Sequence, residues 1–361
     1  MLDKERSHRI MQELEKEGLS QILITDPVAI FYLTGRWIHP GERFLGLYLG
    51  KDRESVLFIN TLFQFSEEIG LRKVYYSDTD NIYPLLAQAV DSSKKLAVDK
   101  ILPARFLLPM MEAGLASGYA NGSPAVDQTR SIKDALEIEI MRESSRINDL
   151  CMEDFKKLIK TGITELETAE QMLSIYKSHG ASAYSFDPIV AFGMNAADPH
   201  HMPDHTILQE GDCVLFDVGG VYENYCSDMT RTYFWKKKPD ELQARIYNLV
   251  REANERAEEM CAPGIIISDI DKCARDIITD AGFGPYFTHR LGHFIGIEDH
   301  KYGDVSLTNQ NRECPGITHS IEPGIYYPKG WVGVRIEDLV LITEDGHEVL
   351  NHMPKEIEVL E

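Results

Sequence analysis

Residues 213–232 read C-V-L-F-D-V-G-G-V-Y-E-N-Y-C-S-D-M-T-R-T, and two aspartates decide how that stretch is understood. Asp217 stands inside an apolar run, and Asp228 follows eleven residues later. Gly219, Gly220 and Asn224 between them favour tight turns. The pattern predicts a hairpin whose strands are 214–218 and 225–233. A carboxylate within V-L-F-D-V costs free energy unless it is paired. Two carboxylates brought together by one hairpin repel each other unless a cation sits between them. Taken alone, the pair also fits a plainer reading, in which Asp217 ends a strand and Asp228 caps a turn.

The C-terminal third adds three more residues of the same kind. L-G-H-F-I-G at 291–296 places His293 close between glycines. S-I-E-P-G-I-Y at 320–326 places Glu322 at the end of a short apolar run, just before a Pro-Gly turn. V-G-V-R-I-E-D-L-V at 332–340 places Glu337 inside a strand-like segment. Carboxylates with one imidazole suit divalent Mn, Co, Fe or Zn better than a structural zinc site, which favours thiolates. Five such ligands suit two metals sharing carboxylates better than one metal.

In order and spacing these motifs resemble those of the pita-bread metallopeptidases: aminopeptidase P, prolidase and methionine aminopeptidase, with creatinase as a non-metal relative. The resemblance implies an α+β fold. A catalytic domain, built as a curved antiparallel sheet backed by helices, would follow a smaller α/β domain of the creatinase/prolidase N-terminal type. It implies Asp217, Asp228, His293, Glu322 and Glu337 as ligands of two divalent metal ions, manganese first, with cobalt, iron or zinc as alternatives. The intact ligand set argues against the creatinase branch, and the N-terminal domain argues against methionine aminopeptidase. The implied activity is hydrolysis of the peptide bond before proline by a metal-activated water, as an Xaa-Pro dipeptidase or an Xaa-Pro aminopeptidase acting on short proline-containing peptides. Glu322 would take the water proton and pass it to the leaving nitrogen. His200 would contact the substrate, and His300 would bind substrate and help stabilise the oxyanion. Spacing alone leaves His200, beside His201 and His205, as a solvated loop histidine, and His300 as an exposed one. Arg335 would pair with a ligand carboxylate or hold substrate, or form a plain structural salt bridge. Thr230 is a candidate hydroxyl supporting the ligands. Phe192, Phe294, Lys301 and Asp304 depart from the usual pattern and bear on the substrate pocket. They keep open a non-peptidase hydrolase or lyase on the same scaffold. A binding protein that lost its chemistry would lack a ligand, and none is lacking.

The chain of 361 residues is long enough for two domains, read as 1–130 and 131–361. A net charge of −21 argues against nucleic acid and anionic membrane as partners. No apolar run reaches the roughly 18 residues of a membrane span. The N-terminus M-L-D-K-E-R-S-H-R has no apolar signal core. Six cysteines without framework spacing read as reduced thiols in a cytoplasmic protein. A homodimer is the family expectation.

In the first domain, helices are predicted at 3–17, from Asp26-Pro27 to Gly35, at 82–90 and at 104–117, and strands at 19–24, 44–49, 55–59 and 96–98. In the second, a long helix at 133–159 has Ser131 and Asp134 as candidate caps and Leu136, Ile140, Ile147, Leu150 and Phe155 as its apolar positions. Thr164 and Glu167 form a capping box for a helix reaching 178. Two further helices are predicted at 239–260 and 268–281, the latter with Ser268 as N-cap.

Overall fold

In the computed structural model, residues 1–300 and 302–361 are described, so Lys301 lies outside the described residues. Backbone contacts divide the chain into two compact units, Met1–Arg130 and Ser131–Glu361.

The first unit alternates helices and strands: α1 Lys4–Lys16, β1 Gln21–Ile24, α2 Pro27–Thr34, β2 Gly46–Gly50, β3 Arg53–Asn60, β4 Arg72–Tyr76, α3 Tyr83–Ala89, β5 Lys95–Val98, α4 Ala104–Glu112, β6 Gly118–Asn121 and α5 Ser123–Ser131. The strands form one mixed sheet in the order β4-β3-β2-β1-β5-β6. Asp26 caps α2 by accepting from the Val28 amide, Pro27 opens the helix and Gly35 closes it in the left-handed region, as the sequence indicates. Strands β4 and β6 carry no strong apolar alternation and were not expected. They are held by parallel pairing to β3 and β5.

The second unit begins with α6 Ala135–Lys156 and α7 Glu165–Ser178. Both start with complete capping boxes, Asp134 with Glu137 and Thr164 with Glu167. Ser131 is no cap; it is the last residue of α5. The buried stripe of α6 is Met141, Ile147, Cys151, Met152 and Phe155, whereas Leu136 and Leu150 are exposed. The expected face was rotated because Met and Cys, which pack as adaptable apolar groups, were not counted.

Next come β7 Ala183–Tyr184, β8 Ile189–Phe192, β9 Cys213–Val218, β10 Gly220–Tyr222, β11 Tyr225–Cys226 and β12 Met229–Trp235. The expected hairpin needs correction. The ladder of β9 runs to β12, with Asp217 opposite Thr230, while β10 and β11 form a separate small hairpin between them. The left-handed Glu223 and Asn224 make its turn. Helices α8 Glu241–Met260 and α9 Ile267–Asp280 follow. Asp240 caps α8 in a third capping box. The expected Ser268 cap on α9 is wrong: the N-cap is Ile266, and Ser268 lies inside the helix.

The remaining strands are β13 Gly292–His293, β14 Asp304–Val305, β15 Thr318–Ile321, β16 Gly324–Tyr327, β17 Val332–Arg335, β18 Asp338–Ile342, β19 His347–Val349 and β20 Val359–Leu360. Strand β15 pairs with β18 and β16 with β17, both antiparallel. Glu337 falls in the break between these ladders rather than within a strand. Its amide donates to the Thr230 carbonyl at 3.1 Å, which joins this region to β12.

Strand alternation decides what faces the site. Val214, Phe216 and Val218 of β9 pack with Cys151, Phe155, Met172 and Tyr176 of α6 and α7. Cys213 and Leu215 pack instead with Ile246, Val250, Ile270 and Ala274 of α8 and α9. Asp217 shares the parity of Cys213 and Leu215, so it points away from the α6–α7 side. Phe192 belongs to the α6–α7 cluster, and its backbone N–H donates to Glu165. The expectation that Phe192 alters the pocket is therefore incorrect.

Candidate metal centre

Strand β9 brings Asp217, the turn into β12 brings Asp228, β13 brings His293, and the break between the two C-terminal ladders brings Glu322 and Glu337. All five line one cleft of about 530 Å³. Asp228, His293 and Glu337 approach closely enough for one ligand atom from each to share an ion. His293 Nε2 lies 3.4 Å from Asp228 Oδ2 and 3.6 Å from Glu322 Oε1. Gly292 is required beside His293, because a Cβ there would collide with the Ser320 carbonyl. The Ser320 hydroxyl accepts from the His293 amide at 3.0 Å and donates to Glu322 Oε1 at 3.1 Å.

The electrostatics are those of an acid cluster short of positive charge. Burial first, then neighbouring carboxylates, holds the Asp228 and Glu337 carboxyls well above the ordinary range. Glu322 is pushed up to about 7, mainly by burial. Burial also lowers the pKa of His293 and so keeps its ring neutral. Asp217 Oδ1, Asp228 Oδ1 and Glu337 Oε1 are buried without a hydrogen-bond partner. Orphaned carboxylate oxygens converging with a neutral imidazole fit hard-to-borderline divalent cations. The residues that could hold them are Asp217, Asp228, His293, Glu322 and Glu337.

A second layer holds this set in place. Thr230 Oγ1 donates to Glu337 Oε2 at 2.7 Å. Arg335, 3% exposed, donates to Asp217 Oδ2 at 2.5 Å, to Thr230 Oγ1 at 3.1 Å, to the Tyr326 hydroxyl at 2.7 Å and to the Pro199 carbonyl at 3.3 Å. Arg335 thus pairs with Asp217, one of the carboxylates expected as ligands, and also lines the cleft.

His200 lines the cleft from an exposed loop position, and His300 lines it with its ring stacked 4.0 Å from that of His293. Desolvation by the cleft wall, then His293 and Arg290, hold the His300 pKa below its ordinary value, although its side chain is 63% exposed, as the loop position suggested. Arg290 Nη2 lies 3.4 Å from His300 Nδ1. A guanidinium only donates, so Nδ1 accepts and the proton sits on Nε2. His201 is turned away onto Glu165 at 2.6 Å.

Five lining residues were not anticipated. Asp299, raised to about 6 chiefly by burial, faces Asp228 and His293. It stands beside His300 in E-D-H, and that adjacency was the available signal. His289 accepts from Tyr326 at Nε2, 2.8 Å, and donates from Nδ1 to the Arg290 carbonyl at 2.7 Å. Burial lowers it to about 3, and its position four residues before His293 was the only hint. Arg290, Phe186 and Ile189 complete the set. Phe294 does not line the cleft; it stacks on His319.

Known proteins resemble the chain in both of its units. Residues 139–344 match Metallopeptidase family M24, and residues 6–132 match the Creatinase/Prolidase N-terminal domain. An uncharacterized peptidase of Staphylococcus aureus is 39% identical over 96% of this chain and 99% of its own. A prolidase from Thermococcus sibiricus superposes with a TM-score of 0.91 at 33% identity, covering 100% of both chains. An X-Pro aminopeptidase from Thermotoga maritima superposes with a TM-score of 0.83 at 26% identity, covering 98% of this chain and 99% of its own.

Proposed function

We propose a substrate and a mechanism from one premise: the chain belongs to metallopeptidase family M24, and carries its pita-bread domain behind a creatinase-type N-terminal domain. The reading is an exopeptidase that hydrolyses the bond before proline in short peptides, using two divalent ions. The observation that carries it is the set of orphaned buried oxygens on Asp217, Asp228 and Glu337 around His293 and Glu322. Asp217, Asp228, His293, Glu322 and Glu337 would together hold the two ions. When bound, such ions acidify a water and polarise the scissile carbonyl.

The chain's own residues then divide the remaining work. Glu322 receives the water proton and returns it to the leaving nitrogen. His300, with its proton fixed on Nε2 by Arg290, donates to the carbonyl oxygen as negative charge develops there. His200 faces the same cleft and contacts the substrate. Arg335 and Thr230 hold the Asp217 and Glu337 carboxylates in orientation. Manganese as the resident ion, a homodimer and a cytoplasmic location belong to this reading as expectations of the sequence; among the described residues, no helix is long and apolar enough to cross a membrane.

The test is hydrolysis of an Xaa-Pro dipeptide and an Xaa-Pro-Yaa tripeptide by metal-stripped protein, with and without added manganese. Activity restored by the metal, and absent from a folded Glu322→Gln protein, is the expected result. Near-normal turnover by Glu322→Gln would remove Glu322 from its role. Metal binding without cleavage of either peptide would end the proline-peptidase reading.

A further inference from the structure

Resting on the two-ion reading, we propose that Lys355 is a positioning residue of the metal centre. From behind the cleft it ties together the two chain segments that carry Glu322 and Glu337, and so fixes the spacing of those carboxylates.

Strand pairing leaves that spacing open. The β15–β18 ladder ends with Ile321 opposite Asp338, and the β16–β17 ladder starts with Gly324 opposite Arg335. Glu322 and Glu337 fall in the break between the two, outside either register. Like charges facing each other across the break push apart, so their backbones need a hold from elsewhere.

Two arms reach the break from behind, and both end on Lys355. In the first, Asn254 of α8 is fully buried and donates from Nδ2 to the Ile321 carbonyl at 2.9 Å, with a longer contact of 3.5 Å to the Ile336 carbonyl. Ile321 and Ile336 immediately precede the two glutamates. Asn254 Oδ1 accepts from Lys355 at 2.6 Å. An ammonium only donates, so Lys355 decides which way the Asn254 amide faces. In the second arm, buried Arg231 donates to the Glu337 carbonyl at 2.7 Å and to Asp338 Oδ1 at 2.6 Å. Lys355 Nζ stands 2.7 Å from Asp338 Oδ2 and 2.7 Å from both oxygens of Glu258. Two cations thus meet two carboxylates. Arg231 also donates to the Met353 and Pro354 carbonyls, at 2.8 and 3.2 Å, so the segment carrying Lys355 is itself anchored. Lys355, Asn254 and Glu258 do not line the cleft, so any effect they have on bound ions passes through the two segments.

Manganese binding to the full chain separates positioning from plain stabilisation. Wild type, Lys355→Met, Lys355→Met/Glu258→Gln and Asn254→Asp would be titrated with manganese by calorimetry, and the bound ions examined by electron paramagnetic resonance. The double variant removes the carboxylate that Lys355→Met leaves unpaired, so it carries the test if the single variant fails to fold. Asn254→Asp keeps a partner for Lys355 and takes away the donor to Ile321. In the folded variants the weaker of the two manganese affinities should fall about 10- to 100-fold, and the spectrum of a spin-coupled pair should give way to that of isolated ions. For Xaa-Pro hydrolysis, kcat should fall with KM little changed. Folded variants that bind two ions with wild-type affinity and a coupled spectrum would overturn the proposal and leave Lys355 a structural residue. A wild-type protein that binds a single manganese would overturn the two-ion reading, and the proposal with it.

Discussion

The Thr230 hydroxyl donates to Glu337 Oε2 at 2.7 Å and accepts from Arg335 Nε at 3.1 Å, so one oxygen orients two groups of the centre. Thr230→Val keeps the branched shape and removes that oxygen. Glu337 then loses a donor and Arg335 an acceptor. The expected outcome is a folded protein whose affinity for manganese falls about 10- to 100-fold, read by metal titration. Unchanged affinity would show that backbone pairing alone holds Glu337. Thr230 was legible as a supporting hydroxyl because it follows Asp228 by two residues, which is one strand face. That it serves Glu337 was not legible, since that contact spans 107 positions. The same holds for Asp299 and His289: adjacency to His300 and nearness to His293 were the only local hints, and burial and partners decide the rest.

Helix α7 opens on Glu165, a fully buried carboxylate, and the loop after β8 is fastened to it. Glu165 accepts from the Phe192 amide at 2.7 Å, Asn195 Nδ2 at 3.0 Å, His201 Nε2 at 2.6 Å and the Asp204 amide at 3.2 Å. Those contacts bracket Pro199 and His200, the part of the loop that reaches the cleft. Glu165→Gln leaves one oxygen for four donors. We expect kcat/KM to fall on the order of ten- to a hundred-fold through a misplaced His200, with metal content unchanged. A fall matched by metal loss would instead point to general unfolding. At this scale the caps were readable. Asp26, Asp134 and Thr164 each precede a helix and accept from its first turn, as expected, whereas Asp240, which caps α8, falls inside the range expected for that helix. The Ser268 cap was misread because α9 begins one residue earlier, at an apolar position without a capping side chain. The β9–β12 ladder was blurred by the small hairpin set between its strands.

Across the molecule, one buried ion pair ties stability to pH. His319 Nε2 lies 3.0 Å from Glu313 Oε1, with both side chains fully buried. Burial alone would lower the histidine, but Glu313, helped by Cys261, outweighs it and raises His319 from 6.5 to about 10. The folded state therefore holds this proton more tightly than the unfolded chain. The stabilisation is complete below about pH 6.5 and drains away as pH climbs through about 10. Denaturant unfolding at several pH values should show the wild type losing on the order of a few kcal/mol over that window, relative to a His319→Gln/Glu313→Gln protein. Parallel profiles would mean the pair does not titrate there. The sequence by itself determined the kinds of residue expected at the centre, their order, the helix caps at Asp26, Asp134 and Thr164 and the α+β class, because these depend on neighbours within a turn or a strand. Only the tertiary structure decided that Arg335 faces Asp217 across 118 positions and that Phe192 turns away from the cleft. Those outcomes depend on strand register and on which face each strand buries, and a side chain's charge and spacing carry no record of either.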